Sequence, residues 1–369
     1  MKLEDFSGPM DLICSRCLAA PGRPLRWAII ANPRAGGFSI GSRWKKHQSI
    51  LADYAEKARA NPPRKGRGGF YPTSGPGDAR GISFRLVAEA GMDRIAGARR
   101  NSGEETFHLI ITAGGDGTSN EVLSVLYQAP EALRRHFAVL RLPMGTGNDG
   151  ADAPELDQAL EFLVGPVNIA LAPALRLVTA TAGKGPFLAF NILSVGLDAF
   201  VTHMTNRMKG KLPGDSYKLW VDIAALFYDR IYRVGAMDVR ALDGEGREVK
   251  RFKEELLLLA VGASGRRTYG AGKKILPDDR NVCAIRQMPL TRKLFLKDLF
   301  NTGGHIDKVE AIPFSARRVE FSGLYPILAQ MDGETVLLSP GDFPAAIELS
   351  DPVIPVLRKV PAPLPKSSG

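Results

Sequence analysis

The segment Gly114-Gly115-Asp116-Gly117-Thr118 follows an apolar run, Phe107 to Ala113, and precedes a helical pattern with Val122, Val125, Leu126 and Leu133 on one face. A strand, a glycine turn and a helix N-terminus in succession make an anion site, because free backbone N–H groups and the helix dipole both favour negative charge. The N–H groups of Gly115, Gly117 and Thr118 are the expected phosphate donors, since glycine allows close approach and positive φ. Thr118 and Glu121 stand at capping-box spacing, which predicts that their side chains satisfy orphan donors of that helix.

Two other nucleotide signatures bear on the chemistry. The Walker A pattern G-x-x-x-x-G-K-[ST] is absent, so this is no P-loop enzyme. Gly145, Gly147 and Gly150 do form G-x-G-x-x-G after an apolar run, yet no acidic residue ends a strand about twenty residues on, where Asn168-Ile169-Ala170 stands. A Rossmann dehydrogenase is therefore disfavoured. Cys14 and Cys17 form a lone C-x-x-C, open to a redox role or to half of a zinc site, with no second pair to complete four ligands. His47, His108, His136, His203 and His305 lack metal-ligand spacing and read as structural or surface residues.

The elements that must position these residues follow from the apolar pattern. At 369 residues the chain is long enough for two cores, and 44% hydrophobic with 24% charged residues is an ordinary globular balance. Residues 1–24 lack clear periodicity and end in Pro21-Gly22-Arg23-Pro24, which predicts a flexible N-terminal extension. Three apolar runs then each end in a glycine loop: Trp27 to Ala31 before Asn32-Pro33-Arg34-Ala35-Gly36-Gly37, Phe107 to Ala113 before Gly114, and Phe137 to Leu142 before Pro143-Met144-Gly145-Thr146-Gly147-Asn148-Asp149. Such runs predict buried parallel strands of an α/β domain over 25–160. Residues 61–81 read as a loop with a short strand at Gly69 to Tyr71. From Asn168 the pattern shifts to strands, including Leu175 to Thr181, Phe187 to Val195, Leu256 to Val261, Val282 to Arg286, Val319 to Phe321 and Val336 to Leu338. A mostly β domain is expected over 165–350, interrupted by a helical stretch from Tyr217 to Tyr232 and followed by a loose proline-rich tail over 351–369.

A formal charge of +10 favours an anionic partner, be it nucleic acid, an acidic membrane or a polyphosphate. Basic clusters at Arg43-Trp44-Lys45-Lys46, at Arg207, Lys209 and Lys211, and at Arg266-Arg267 suit peripheral contact with an anionic membrane or simply a solvated face. No basic stripe interleaved with aromatics accompanies them, and no zinc-finger spacing, so nucleic acid is not an expected partner. The longest apolar run, Leu256 to Ala263, is too short to span a bilayer, and Glu4, Asp5 and Asp11 make a poor signal peptide. A soluble, cytoplasmic protein is expected.

Taken with Asn120-Glu121, the Gly114 to Thr118 segment resembles the phosphate-binding motif of the diacylglycerol kinase catalytic family, of which NAD kinases and phosphofructokinases carry related versions. The loop Asn32 to Gly37, the segment Leu142 to Asp149 and Asp332-Gly333-Glu334 occur in that family's order, so the resemblance spans roughly residues 25–350. Phe190 to Asp198 and Tyr269 to Pro277 are similar to the bacterial soluble lipid-kinase branch, and Thr73 to Ala79 resembles the family's threonine-containing loop.

The resemblance implies an N-terminal α/β nucleotide-binding domain with a parallel sheet, a C-terminal β-sandwich and an active site in the interdomain cleft. It implies ATP and Mg2+ as cofactors and a lipid hydroxyl as acceptor, with diacylglycerol giving phosphatidic acid as the leading case and a sphingosine-like base or NAD as alternatives. Asn32, Pro33, Arg34, Ala35, Thr73, Gly114, Gly115, Asp116, Gly117, Thr118, Asn120, Glu121, Gly145, Thr146 and Asn148 would line the nucleotide site. Asp116 would reach the magnesium ion, and Glu334 would act as general base with Asp332 beside it. Each acidic residue also has a plainer reading: Asp116 as a turn former, Glu121 as a cap, Asp332-Gly333-Glu334 as a strand connection. One departure is that relatives carry Asp-Asp-Gly, with a structural magnesium, where this chain has Asp278-Asp279-Arg280. A catalytically inactive nucleotide-binding regulator is the reading from another class, opposed by the retained Asp116, Asp332 and Glu334. Oligomeric state stays open, a homodimer included.

Overall fold

The runs expected as buried strands pair in parallel: β1 (Leu25–Ala31), β2 (Gly66–Pro72), β3 (Phe107–Gly114) and β4 (Phe137–Pro143). The computed structural model describes residues 3–99, 105–208, 227–270 and 272–360; residues 217–226 of the expected helical stretch lie outside these, as do Lys209, Lys211 and Ala271. Every residue of β3 and β4 is buried, which explains why their sequences are continuous rather than alternating. One sheet face carries Leu25, Trp27, Ile29, Leu109, Ile111 and Leu140 into the main core, against α3 (Gly41–Ala58) and α7 (Leu156–Val164). A short helical turn, α2 (Gly36–Ser39), precedes α3, while α4 (Asp78–Arg99), α5 (Asp116–Gln128) and α6 (Glu131–Arg134) pack on one another beside β3. Leu133 therefore belongs to a separate turn from Val122, Val125 and Leu126.

Where a flexible N-terminal extension is expected, the described residues carry a packed helix. Residues Glu4–Cys14 form helix α1, whose Phe6, Met10, Ile13 and Cys14 are wholly buried at helical spacing against α3 and α7. The Phe6 ring meets Phe38 edge-on at 4.9 Å, and Asp11 accepts a 2.8 Å hydrogen bond from the Trp27 indole. Cys14 and Cys17 are free thiols inside this core, and burial pushes Cys17 up to about 11. They act as small apolar fillers.

The expected C-terminal tail is likewise structured as far as it is described. Strand β5 (Val167–Ala172) pairs antiparallel with β19 (Ile354–Lys359), and the sheet order is β2-β1-β3-β4-β19-β5. Ile354, Val356 and Leu357 are buried, so the hydrophobic gain outweighs the missing donor of Pro355. Residues up to Ala172, with Val353 onward, thus form one unit, and Pro173–Pro352 form the other.

The second unit is mostly antiparallel sheet. It comprises β6 (Leu175–Val178), β7 (Phe187–Ala189), β8 (Ile192–Gly196), β9 (Ala236–Leu242), β10 (Glu248–Gly262), β11 (Arg267–Tyr269), β12 (Lys273–Leu276), β13 (Val282–Arg286), β14 (Ala311–Phe314), β15 (Arg318–Gly323), β16 (Ile327–Met331), β17 (Glu334–Leu338) and β18 (Ala345–Leu349). The main path runs β17-β16-β8-β10-β9-β15-β18-β6-β7. Strand β10 changes character halfway: Glu248 to Glu255 pair with β9 and are largely exposed, while Leu256 to Gly262 are buried between β8 and β13. Helix α8 (Leu197–Met208) follows β8 through Gly196, whose φ of +96° permits the sharp turn.

Candidate functional site

In-register pairing of Ala31 with Pro72 and Ala113, and of Gly114 with Pro143, ends the four parallel strands at one edge. Ligands of open parallel sheets bind beyond this carboxyl edge, where strand order reverses, here between β1 and β3. Three glycine loops leave from it and lie on one another. The Asn32 N–H donates to the Ala113 carbonyl at 2.9 Å, and its Oδ1 accepts from the Arg34 N–H at 3.0 Å. Gly37 N–H donates to the Met144 carbonyl at 2.8 Å. A Cβ on Gly145 would stand 2.8 Å from the Gly115 Cα and 2.9 Å from Asn148 Oδ1, so only glycine permits this approach.

Helix α5 begins at Asp116 with Gly115 as an extended N-cap and no side-chain cap, leaving its first-turn N–H groups directed at this edge. Asp116 Oδ1 accepts the Gly150 N–H at 3.0 Å, tying the helix start to the third loop. That loop is held from behind by Arg141 and Asp152, a nearly dry ion pair with two 2.8 Å bonds. Asn148, at φ +58°, donates to the Pro143 carbonyl at 3.0 Å, and its Oδ1 is buried without a partner among the described residues. An orphan acceptor beside open helix donors is what a nucleotide bearing hydroxyls and a cation would satisfy. Arg34 is exposed and makes no ion pair among the described residues. Pro33 and Ala35 shape its turn, and Thr146 Oγ1 lies 3.1 Å from where a Gly36 Cβ would be.

Two details differ from the sequence reading. The N-cap is Gly115, three residues before the position the capping box requires, so Glu121 does not cap α5. Its carboxylate instead accepts the N–H groups of Gly77 (2.8 Å) and Arg80 (3.0 Å), the orphan donors at the start of α4. Glu121 thereby fixes the Thr73 loop, where the Thr73 N–H donates to Ala31 at 2.8 Å, while Asn120 accepts the Ser124 hydroxyl at 3.2 Å. Thr118 packs over Gly114, and Gly117 lies in the first turn. The residue that sequence reasoning missed is Arg43 of α3. Its guanidinium donates to the Gly145 carbonyl at 3.4 Å and lies 3.3 Å from a Cβ position on Gly36, a cation set on the glycine loops. Within a basic cluster it read as a solvated charge; its place one to two turns after Gly36-Gly37 was the only signal.

In the second unit, Asp332 and Gly333 have φ of +48° and +100°, as the centre of a two-residue hairpin between β16 and β17 requires. Asp332 is no free acid. Only 6% exposed, its carboxylate accepts the N–H groups of Phe190 (2.5 Å), Asn191 (3.1 Å) and Ile192 (3.2 Å), which ties the turn to the start of β8. Glu334, by contrast, is exposed at the start of β17. Helix α8 clamps the same turn: Asn206 Nδ2 donates to the Gly333 carbonyl at 2.8 Å, and His203 Nδ1 shares a 3.2 Å bond with the Thr335 hydroxyl. Beneath it, Gln330 Oε1 accepts the Gly333 N–H at 3.2 Å while its amide donates to Ser194, whose hydroxyl donates to Asp198 at 2.6 Å.

Asp278 and Asp279 do not fit a structural cation. Asp278 accepts from Arg280 at 2.9 Å and Asp279 from Arg266 at 2.6 Å, bonds that hold both carboxyls below the usual carboxylate range. Among the described residues no three His, Cys, Asp or Glu side chains group as metal ligands.

The diacylglycerol kinase catalytic domain family matches residues 26–167 of this chain. The protein named "Probable lipid kinase YegS-like" of Chromohalobacter salexigens is 30% identical over 270 residues, covering 69% of this chain and 77% of its own. Its namesake from Xanthomonas campestris is 24% identical over 262 residues with the same coverages. A crystal structure of a diacylglycerol kinase from Bacillus anthracis matches with a TM-score of 0.53 at 14% identity, over 90% of this chain and 97% of that one, a likeness of fold. With the glycine loops and their order in the chain, these similarities place the protein in the diacylglycerol kinase catalytic family, among the YegS-like lipid kinases.

Proposed function

We propose that this chain transfers the γ-phosphoryl group of ATP to a lipid hydroxyl, with diacylglycerol giving phosphatidic acid as the leading reaction. The observation that carries the reading is the stacking of three loops at the carboxyl edge of β1, β3 and β4, with Gly145 seated on Gly115. First-turn N–H groups of α5 hold phosphate oxygens, and Arg34 and Arg43 supply positive charge. Asp116, and Asn148 Oδ1 of the adjoining loop, would hold magnesium, which when bound would neutralise charge on the phosphates. Glu334 takes the acceptor's proton as the acceptor oxygen bonds to the γ-phosphorus and the bond to the β-phosphate oxygen breaks, giving a phosphomonoester and ADP. Asp332 sets the angle of that hairpin through its three backbone bonds. The +10 charge supports peripheral contact with an anionic bilayer, where such an acceptor resides.

Incubation with γ-labelled ATP, magnesium and a panel of diacylglycerol, sphingosine and NAD tests the reading. Label is expected in phosphatidic acid. Label in NADP alone would overturn the lipid acceptor, and ATP binding without transfer to any acceptor would favour a regulatory protein.

A further inference from the structure

A cavity lies in the first unit, at the other end of the same strands from the glycine loops. On the sheet face toward α4, pairing sets Arg67, Arg26, His108 and Phe137 in one row across β2, β1, β3 and β4. The next row on that face is Gly69, Ala28 and Ile110; the Tyr71 ring covers Gly69, while Ala28 is too small to fill the space beneath α4. A cavity of about 270 Å³ results, walled by Leu86 and Glu89 of α4 and by Tyr71. His108 precedes Gly114 by six residues, which is about 20 Å along an extended strand, so this is not the phosphate edge.

Two polar groups here, His108 and Arg67, lack a hydrogen-bond or ion-pair partner among the described residues. His108 is 7% exposed and stacks on Phe137 at 4.9 Å, yet its imidazole makes no hydrogen bond among the described residues. Burial pushes it down to about 4, so at neutral pH it offers one N–H donor and one acceptor. Arg67 is exposed with no ion pair among the described residues, whereas Arg26 is engaged by Asp93. The Tyr71 hydroxyl reaches back over Gly69, 2.5 Å from where a Cβ would stand.

We propose that this cavity binds a small organic monoanion with a flat apolar body, its anionic group held by Arg67 and the His108 N–H and its body lying over Ala28 and Ile110, beside the Tyr71 ring. The carboxylate of Glu89 at the same wall disfavours a phosphate dianion. The test is calorimetric titration of the full chain with 2-naphthoate, its neutral analogue 2-naphthamide, and inorganic phosphate. Saturable binding of 2-naphthoate is expected, weakened about tenfold or more in the amide and in Arg67→Ala and His108→Phe, because hydrogen bonds to charged groups carry ~1.5–3 kcal/mol. Arg67 lies on an exposed edge strand, so its removal leaves folding intact, and a thermal melt of each variant verifies this. No saturable heat with 2-naphthoate, equal affinity for the amide, tighter binding of phosphate, or unchanged affinity in a folded Arg67→Ala would each overturn the proposal.

Discussion

Replacing Gly145 by alanine places a methyl carbon 2.8 Å from the Gly115 Cα and 2.9 Å from Asn148 Oδ1. Carbon atoms pack best at about 3.5–4.0 Å, so the two loops must separate by about 1 Å. Both are tied to rigid strand ends, through the Gly37 to Met144 bond and the Gly150 to Asp116 bond, so the movement falls on the start of α5. Overpacking of this size costs ~1–3 kcal/mol of stability, and a displacement of about 1 Å at a positioning group costs on the order of 100-fold in rate. Gly145→Ala should therefore lower kcat/KM for ATP about 100-fold in a coupled ADP-release assay and lower the urea midpoint modestly. Gly41→Ala, where a Cβ meets nothing within 4 Å, serves as the control and should behave like the parent. Activity of Gly145→Ala within about twofold of the parent, at unchanged ATP affinity, would refute the stacked-loop phosphate site.

Asn206→Ala removes the 2.8 Å bond to the Gly333 carbonyl and should lower kcat about tenfold at constant KM for ATP, with ~1 kcal/mol or less lost in stability; a matched fall in stability alone would make the clamp merely structural. Leu357→Ala, in the strand that replaces the expected tail, should cost ~2–4 kcal/mol by urea denaturation, against nearly nothing for a flexible segment. For His108 the unfolded imidazole titrates near 6.5 and the folded one at about 4, because burial disfavours its charged form. Between those values the unfolded chain binds more protons, so this contribution is present above about pH 6.5 and is lost as pH falls toward 4, up to ~3 kcal/mol. His108→Gln should flatten that part of the pH–stability curve, and an unchanged curve would show that His108 does not carry it.

The parallel strands were legible because burial on both faces leaves continuous apolar runs such as Phe107 to Ala113. Helix α1 was not, because Phe6, Met10 and Ile13 are interleaved with Glu4, Asp5, Pro9 and Asp11, and their common face is evident only against the Phe38 and Trp44 rings. Strand β19 was hidden by Pro352 and Pro355, since its reason to exist is the antiparallel ladder with the distant β5. Within the site, spacing identified the glycine loops, while partners decided roles. Glu121 has the position of a cap but serves a neighbouring helix, and Asp332 and Glu334 differ in sequence only by order, yet one is buried under three N–H groups and the other is exposed.

The central claim is that this chain phosphorylates a lipid hydroxyl with Glu334 as the base. Transfer of γ-label from ATP to diacylglycerol, measured side by side for the parent chain and Glu334→Gln, tests it most directly. The account predicts labelled phosphatidic acid from the parent and a loss of about 100-fold or more in the variant with ATP affinity retained. Near-parental transfer by Glu334→Gln, or no lipid label from the parent, would contradict it.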